Sequence, residues 1–360
     1  EITYHQDQQI IHIRNKKISY VIEIVDGKYP MHRYFGKSIR KYRGTGVPRY
    51  FKRGYATEHD LSIPHASFDD LPFEYPLRGH GDYRIPAFEI KQENGMSYAD
   101  LTFTGLKITD GKPEIPGLPS ITASGSEAKT LELTCEDARA GLQVTLYYTV
   151  IGEEGVILRH QKIENTGARM LKLENAQSLS LELLPEYDFL SLYGTHAKEA
   201  NRFRFRIHHG IQKTESVRGS SSPQHQPFFA LASPGTSEEK GEVYAFHLIY
   251  SGNFLAQTEC DQFGNIRAQI GIHPDTFCWE LSPGEVFHTP EAVLNYSDDG
   301  LNGMSHNFHT LYRRHLFPRT FAGKERPVLL NSWEGMYYDV SLDKIEEQSA
   351  LAKNLGMELF

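Results

Sequence analysis

Glu334 and Asp339 both follow the short apolar run Pro327–Ser332, where they could be drawn as a general acid and a general base. A carboxylate pair that cleaves a glycosidic bond must straddle it, about 5 to 5.5 Å apart when configuration is retained, and neighbours on one loop seldom present that geometry. Structural hydrogen bonding or helix capping is the better reading of both, so no catalytic residue is assigned. His208-His209 and the pair His306 and His309 are the nearest approach to metal ligands. Neither has a carboxylate or third histidine at a matching position, so no metal centre is expected. The sequence has no Gly-x-Ser-x-Gly elbow, P-loop, His-Glu-x-x-His or dinucleotide-binding glycine motif after a strand, and no cofactor is expected. Trp333 differs, because active sites of parallel barrels gather at the C-terminal ends of their strands. An indole at such an end can wall a sugar pocket or simply pack in the core, and the sequence leaves both open.

The elements around Trp333 come from residues 321–360. Pro327–Ser332 reads as a first strand, and Leu342, Ile345, Ser349, Ala352 and Leu355 form a helical stripe. Ser341 is the expected N-cap and Gly356 the stop. Met357–Phe360 reads as a second strand. Strand, helix and strand make one right-handed crossover, whereas a barrel of eight such units takes about 250 residues. Most of that domain is therefore expected outside these 360 residues.

From Ile2 to about Ser297 the dominant period is two, as in Ile18–Ile24, Thr130–Thr134 and Glu242–Leu248. Turn residues punctuate it at Glu93-Asn94-Gly95, Asp110-Gly111, Asn165-Thr166-Gly167 and Ser233-Pro234-Gly235. About eighteen short strands imply a large antiparallel β-sandwich. Arg43 to Arg84, rich in glycine and proline, reads as a long excursion, and loops of that length are usually functional or ordered by a partner. Arg202, Arg204 and Arg206 share one strand face, solvated or anion-binding, with the solvated reading preferred. Leu301, Met304, Phe308, Leu311, Tyr312 and His315 have helical spacing. The predicted organisation is mainly β: a sandwich over residues 1–298, a helical connection over 299–320 and the start of a (β/α)8 barrel over 321–360.

Formal charge is −8, from 38 basic and 46 acidic residues without long runs, which argues against nucleic acid. The aromatic share of 12% suits strands and also sugar faces. The 3 cysteines are far apart and suggest reduced core thiols. No signal-peptide pattern and no stretch of about 18 apolar residues occurs, so a cytoplasmic protein without membrane contact is expected.

Several segments together resemble family 36 of the glycoside hydrolases, the large bacterial α-galactosidases. Arg326–Glu334, Tyr338-Asp339 and Leu355–Phe360 match its barrel opening, where the family reads R-P-[IV]-L-[IL]-N-N-W-E and L-G-[IM]-E-L-F. Glu74-Tyr75-Pro76, Gly81–Ala87, Tyr250–Gln257, Asp261–Gly264 and Leu301–Ser305 match its β domain. The resemblance implies a β-supersandwich before a (β/α)8 barrel, and retaining hydrolysis of terminal α-galactosyl units in melibiose, raffinose and stachyose. It places both catalytic aspartates on later barrel strands, outside this sequence. Trp333 matches a sugar-contact position of the barrel. In tetrameric members the β domain reaches a neighbour's pocket; by resemblance this chain forms a homo-oligomer, and at those two positions it carries Lys52 for an Asp and His196 for a Trp. An altered outer subsite or mere surface residues would explain both. Gly219–Phe229 resembles a further family loop, read here as packing or interface. A non-enzymatic β-sandwich that binds carbohydrate or mediates oligomerisation is the competing reading.

Overall fold

Strict alternation of apolar and polar side chains obliges the chain to form sheets with two different faces. The computed structural model describes residues 1–44, 61–63, 67–79, 81–184 and 186–360. Two compact units divide them, Glu1–Leu316 and Phe317–Phe360. The first unit is built from three antiparallel sheets. Ile2–His5, Ile10–Arg14, Ile18–Val25 and Tyr29–Lys37 form a four-stranded meander. A six-stranded sheet centres on the long strand Leu171–Leu183, and a ten-stranded sheet runs from Lys198–Arg206 at one edge to Thr102–Asp110 at the other.

The ten-stranded sheet serves two cores at once. In the strand Val243–Ile249, Tyr244, Phe246 and Leu248 point into a large core shared with the other two sheets. Val243, Ala245 and Ile249 point the opposite way, into a smaller core closed by Met304, Phe308 and Leu311 of helix α1 (Gly300–Leu311). The expected connecting helix thus belongs to the first unit. Gly303 is required there, because a Cβ would lie 2.3 Å from Ser297 Oγ.

The larger core also holds charge. Glu74 is 1% exposed. Its carboxylate accepts hydrogen bonds from the Tyr20 hydroxyl at 2.7 Å, the Tyr148 hydroxyl at 2.6 Å and Arg159 Nη1 at 3.3 Å, and lies 3.1 Å from His32 Nδ1. The Arg159 guanidinium rests on the Tyr148 ring, 3.9 Å from its centroid. Nearby in sequence, Asp82 pairs with Arg84 at 3.0 Å and with Arg267, which donates to Glu182 at 2.7 Å. Arg84 Nη2 also donates to the Leu71 carbonyl at 2.7 Å. The segment returning from the Arg43–Arg84 excursion is therefore riveted to the sandwich by two buried ion clusters. Leu71, Phe73, Phe68 and Ile63 fill a third small core against Tyr29 and Met31.

In the second unit, Ser341 caps helix α3 (Leu342–Asn354) by accepting from Lys344 N at 3.4 Å, and Gly356 ends it at φ +78°. The flanking runs pair in parallel through one bridge, Leu329 with Leu359, supported by Leu330 N to Leu359 O at 3.0 Å and Glu358 N to Val328 O at 2.9 Å. The ladder is shorter than the sequence suggests, since two parallel strands alone leave most of their backbone and both faces uncovered. For the same reason Leu342 and Leu355 are exposed, while Ala352 is buried.

Burial pushes the Glu74 carboxyl up, but the His32, Arg159 and Tyr148 contacts outweigh it and hold it below its ordinary value. Asp82 is likewise raised by burial and lowered further by Arg267 and Arg84. A carboxyl with a depressed folded pKa stabilises the fold above its unfolded value, and that contribution is lost as pH falls through the folded value. Resistance of the first unit to urea should therefore fall steeply below about pH 4. Glu74→Gln should flatten that slope and cost about 3–5 kcal/mol at pH 7, because Arg159 keeps a buried charge without its counter-ion. A variant as stable as the parent would refute the assignment.

Candidate functional site

Trp333 opens the short helix α2 (Trp333–Met336), where Asn331 Oδ1 accepts its backbone N–H at 2.8 Å. Tyr337 leaves the helix at φ +47° and turns the chain back, so that Tyr337 and Tyr338 meet the indole edge-on at 5.5 and 5.2 Å. All three rings are exposed, Trp333 at 45% and Tyr338 at 91%. The cluster follows the Leu329–Leu359 bridge and thus sits beyond the C-terminal end of the first parallel run. An exposed indole face suits the apolar C–H face of a sugar ring. Of the neighbouring carboxylates, Asp339 is paired with Lys344, whose Nζ also donates to the Asp339 carbonyl at 3.2 Å. Glu334 makes no such contact among the described residues. Gly335 is held close to the Gln348 side chain, 2.9 Å from a would-be Cβ.

His196 lies in the first unit, at the tip of the hairpin formed by Asp188–Thr195 and Lys198–Arg206. That second strand is an edge of the ten-stranded sheet. Three local features lift the tip. Gly194 forms a bulge whose Cβ would lie 2.3 Å from the Lys198 carbonyl, Ala197 adopts φ +60°, and Asn201 Nδ2 donates to that carbonyl at 2.7 Å. The His196 ring is exposed and has no side-chain partner among the described residues. The arginines on the same strand are committed to ion pairs: Arg204 and Arg206 lie 2.9 Å from Asp188, and Arg202 pairs with Glu238. Among the described residues they leave no anion site on that face. Lys52 lies outside the described residues.

The histidine pairs considered from sequence have ordinary roles. His208 Nδ1 lies 3.0 Å from the His209 carbonyl, His209 Nδ1 lies 2.9 Å from the Asp261 carbonyl, and His306 and His309 are exposed on α1. Among the described residues no group of three potential ligands could hold a metal, and no helix is long and apolar enough to cross a membrane. Only one cysteine is a core thiol: Cys135 is buried, Cys260 is half-buried and Cys278 is exposed. Several segments that first look like motif residues turn out to be scaffolding. Asp261 accepts from Phe263 N at 2.8 Å and Asn265 N at 2.9 Å, and Gly219 N donates to Asn253 Oδ1 at 2.6 Å.

A substitution at the hairpin bulge should act on the scaffold, and one at the tip should not. Gly194→Ala should destabilise the first unit by about 1–3 kcal/mol through its clash with Lys198. His196→Ala should stay within about 0.5 kcal/mol of the parent. Thermal unfolding of both variants decides the point, and an undisturbed Gly194→Ala would contradict the bulge.

Residues 28–282 match the model of the glycosyl hydrolase family 36 N-terminal domain, and residues 286–360 match the model named melibiase. The chain is 42% identical to alpha-galactosidase AgaA of Geobacillus stearothermophilus over 99% of its own length and 49% of that protein. Its fold matches the crystal structure of the family 36 alpha-galactosidase AgaB from the same organism with a TM-score of 0.95, at 42% identity, covering 100% of this chain and 50% of the other. A variant of AgaA in complex with raffinose matches with a TM-score of 0.94 at 43% identity, over 97% of this chain and 49% of that one. The chain thus spans about half the length of the curated relatives it matches.

Proposed function

This chain belongs to glycosyl hydrolase family 36, and from that premise we propose that it is the front portion of a retaining α-galactosidase acting on oligosaccharides such as melibiose and raffinose. The observation that carries the reading is the exposed Trp333 cluster beyond the first parallel bridge, with no free carboxylate pair beside it among the described residues. In this reading Trp333 contributes one wall of the galactose pocket. The nucleophile and the acid/base, which must stand about 5 to 5.5 Å apart across the scissile bond, come from residues outside these 360. Asp339 is set aside for either task because its carboxylate is already paired with Lys344.

The β domain supplies the outer subsite. His196 is presented on a hairpin tip held by its bulge, and Lys52 belongs to an excursion whose return is riveted to the sandwich. In an oligomer, the tip and the excursion of one subunit would reach the pocket of another. A lysine in place of a carboxylate donates hydrogen bonds to hydroxyls instead of accepting them, which would change the preferred distal sugar. The three cysteines are free, as fits a reducing, cytoplasmic compartment.

Assay of the full-length gene product with a chromogenic α-galactoside tests the reading. Turnover is expected, and none would leave the chain a carbohydrate-binding or oligomerisation module. In that enzyme Trp333→Ala should lower kcat/KM by an amount equivalent to about 1–4 kcal/mol. An unchanged kcat/KM would reduce Trp333 to a packing residue.

A further inference from the structure

Within the first unit, the strand Trp279–Leu281 and the turn Pro274–Thr276 border an open groove of about 550 Å³, a size that suits a small ligand. Trp279 leaves 49% of its surface to solvent. Its ring lies 5.3 Å from that of Phe287, which lies 5.5 Å from Phe277, so the three rings make one continuous apolar wall. Tyr250 also lines the groove, and it can fold over its own loop because residue 252 is glycine: a Cβ there would lie 2.5 Å from the Tyr250 ring. Asn253 fixes the loops around it, accepting from Gly219 N at 2.6 Å and donating to Thr276 Oγ1 at 3.2 Å. The segments Gly219–Phe229 and Tyr250–Gln257, which the catalytic reading leaves without a role, therefore meet at this groove.

The charge of the lining decides what could bind. None of the residues lining the groove is Asp, Glu, Lys or Arg. His288 lines it as well, and its Nδ1 has no hydrogen-bond partner among the described residues. Burial, with Lys162 adding to it, pushes that imidazole below its ordinary range, so it is neutral near pH 7. A phosphate, a nucleic acid or an acidic peptide would find no counter-charge here. With His273 held 2.7 Å from Glu215 through its Nε2, rings with polar neighbours and no unpaired charge match a neutral ligand that has both an apolar face and hydroxyls.

We propose that this groove is a second, non-catalytic carbohydrate site, in which a pyranose packs its apolar face on Trp279 while its hydroxyls are met by Tyr250 and His288. It contains none of Trp333, His196 and Lys52, and so goes beyond the catalytic reading. Only the choice of raffinose as the probe rests on that reading.

The sequence has 2 tryptophans, Trp279 and Trp333, one at each candidate sugar surface. In these 360 residues carrying Trp333→Phe, indole emission reports on Trp279 alone. Titration with raffinose should change that emission saturably, with a dissociation constant on the order of 1–10 mM. Adding Tyr250→Ala or His288→Ala should weaken the response roughly tenfold while circular dichroism stays unchanged. No saturable change up to about 100 mM raffinose in a folded protein would overturn the proposal. So would a Trp279→Ala chain whose mass by light scattering falls while the parent shows no sugar response, since the groove would then be a contact between copies. The reciprocal chain, Trp279→Phe, reports on Trp333 alone, so loss of one site is distinguishable from loss of the other.

Discussion

Two fully buried arginines, Arg159 and Arg267, set the terms on which the rest of the first unit can assemble. Each must meet carboxylates brought from far along the chain: Glu74 is 85 residues from Arg159, and Asp82 is 185 residues from Arg267. Attraction between such groups is largely offset by the cost of drying them, so the clusters add little to stability compared with a well-packed apolar substitute. Their effect is selective. An arrangement that buries either arginine without its partners is heavily penalised, and the segment from Leu71 to Ile85 is left with one acceptable seat.

The ten-stranded sheet faces a comparable restriction in a different form. Its strands carry apolar side chains on both faces, as in Phe229 and Leu231 against Ala230 and Ala232. A slip of one residue would send the large rings toward α1 and the alanines into the main core, where neither set fits. Small residues on the helix side let α1 approach closely, and Asn307 then reaches the sheet backbone, donating to the Tyr296 carbonyl at 3.1 Å. The difference in size between the two faces of this strand thus favours one register, and Asn307 ties the helix to the sheet.

Alternation, turn residues and capping signals were readable in the sequence because each is a local matter. Ser341, Gly356 and the strand pattern of Val243–Ile249 are examples. The buried charges were not readable in this way. Glu74, Arg159, Asp82 and Arg267 look like surface residues until the fold supplies partners that no window along the chain contains. The lift of the His196 hairpin was hidden too, since Ala197 and Ala200 adopt φ of +60° and +54° without the glycine or asparagine that would announce it. Trp333 could be singled out by its position after an apolar run, yet its tyrosine neighbours join it through a turn that sequence spacing does not predict. Trp279 gave no signal at all, because its groove is assembled from loops far apart in the chain.

The division between Leu316 and Phe317 carries a consequence of its own. All three apolar cores and both ion clusters close within the first unit. A change on the exposed His196 tip is therefore absorbed by a unit that supplies its own interior. Such a partition lets the surface of the first unit vary without disturbing the interior that supports it.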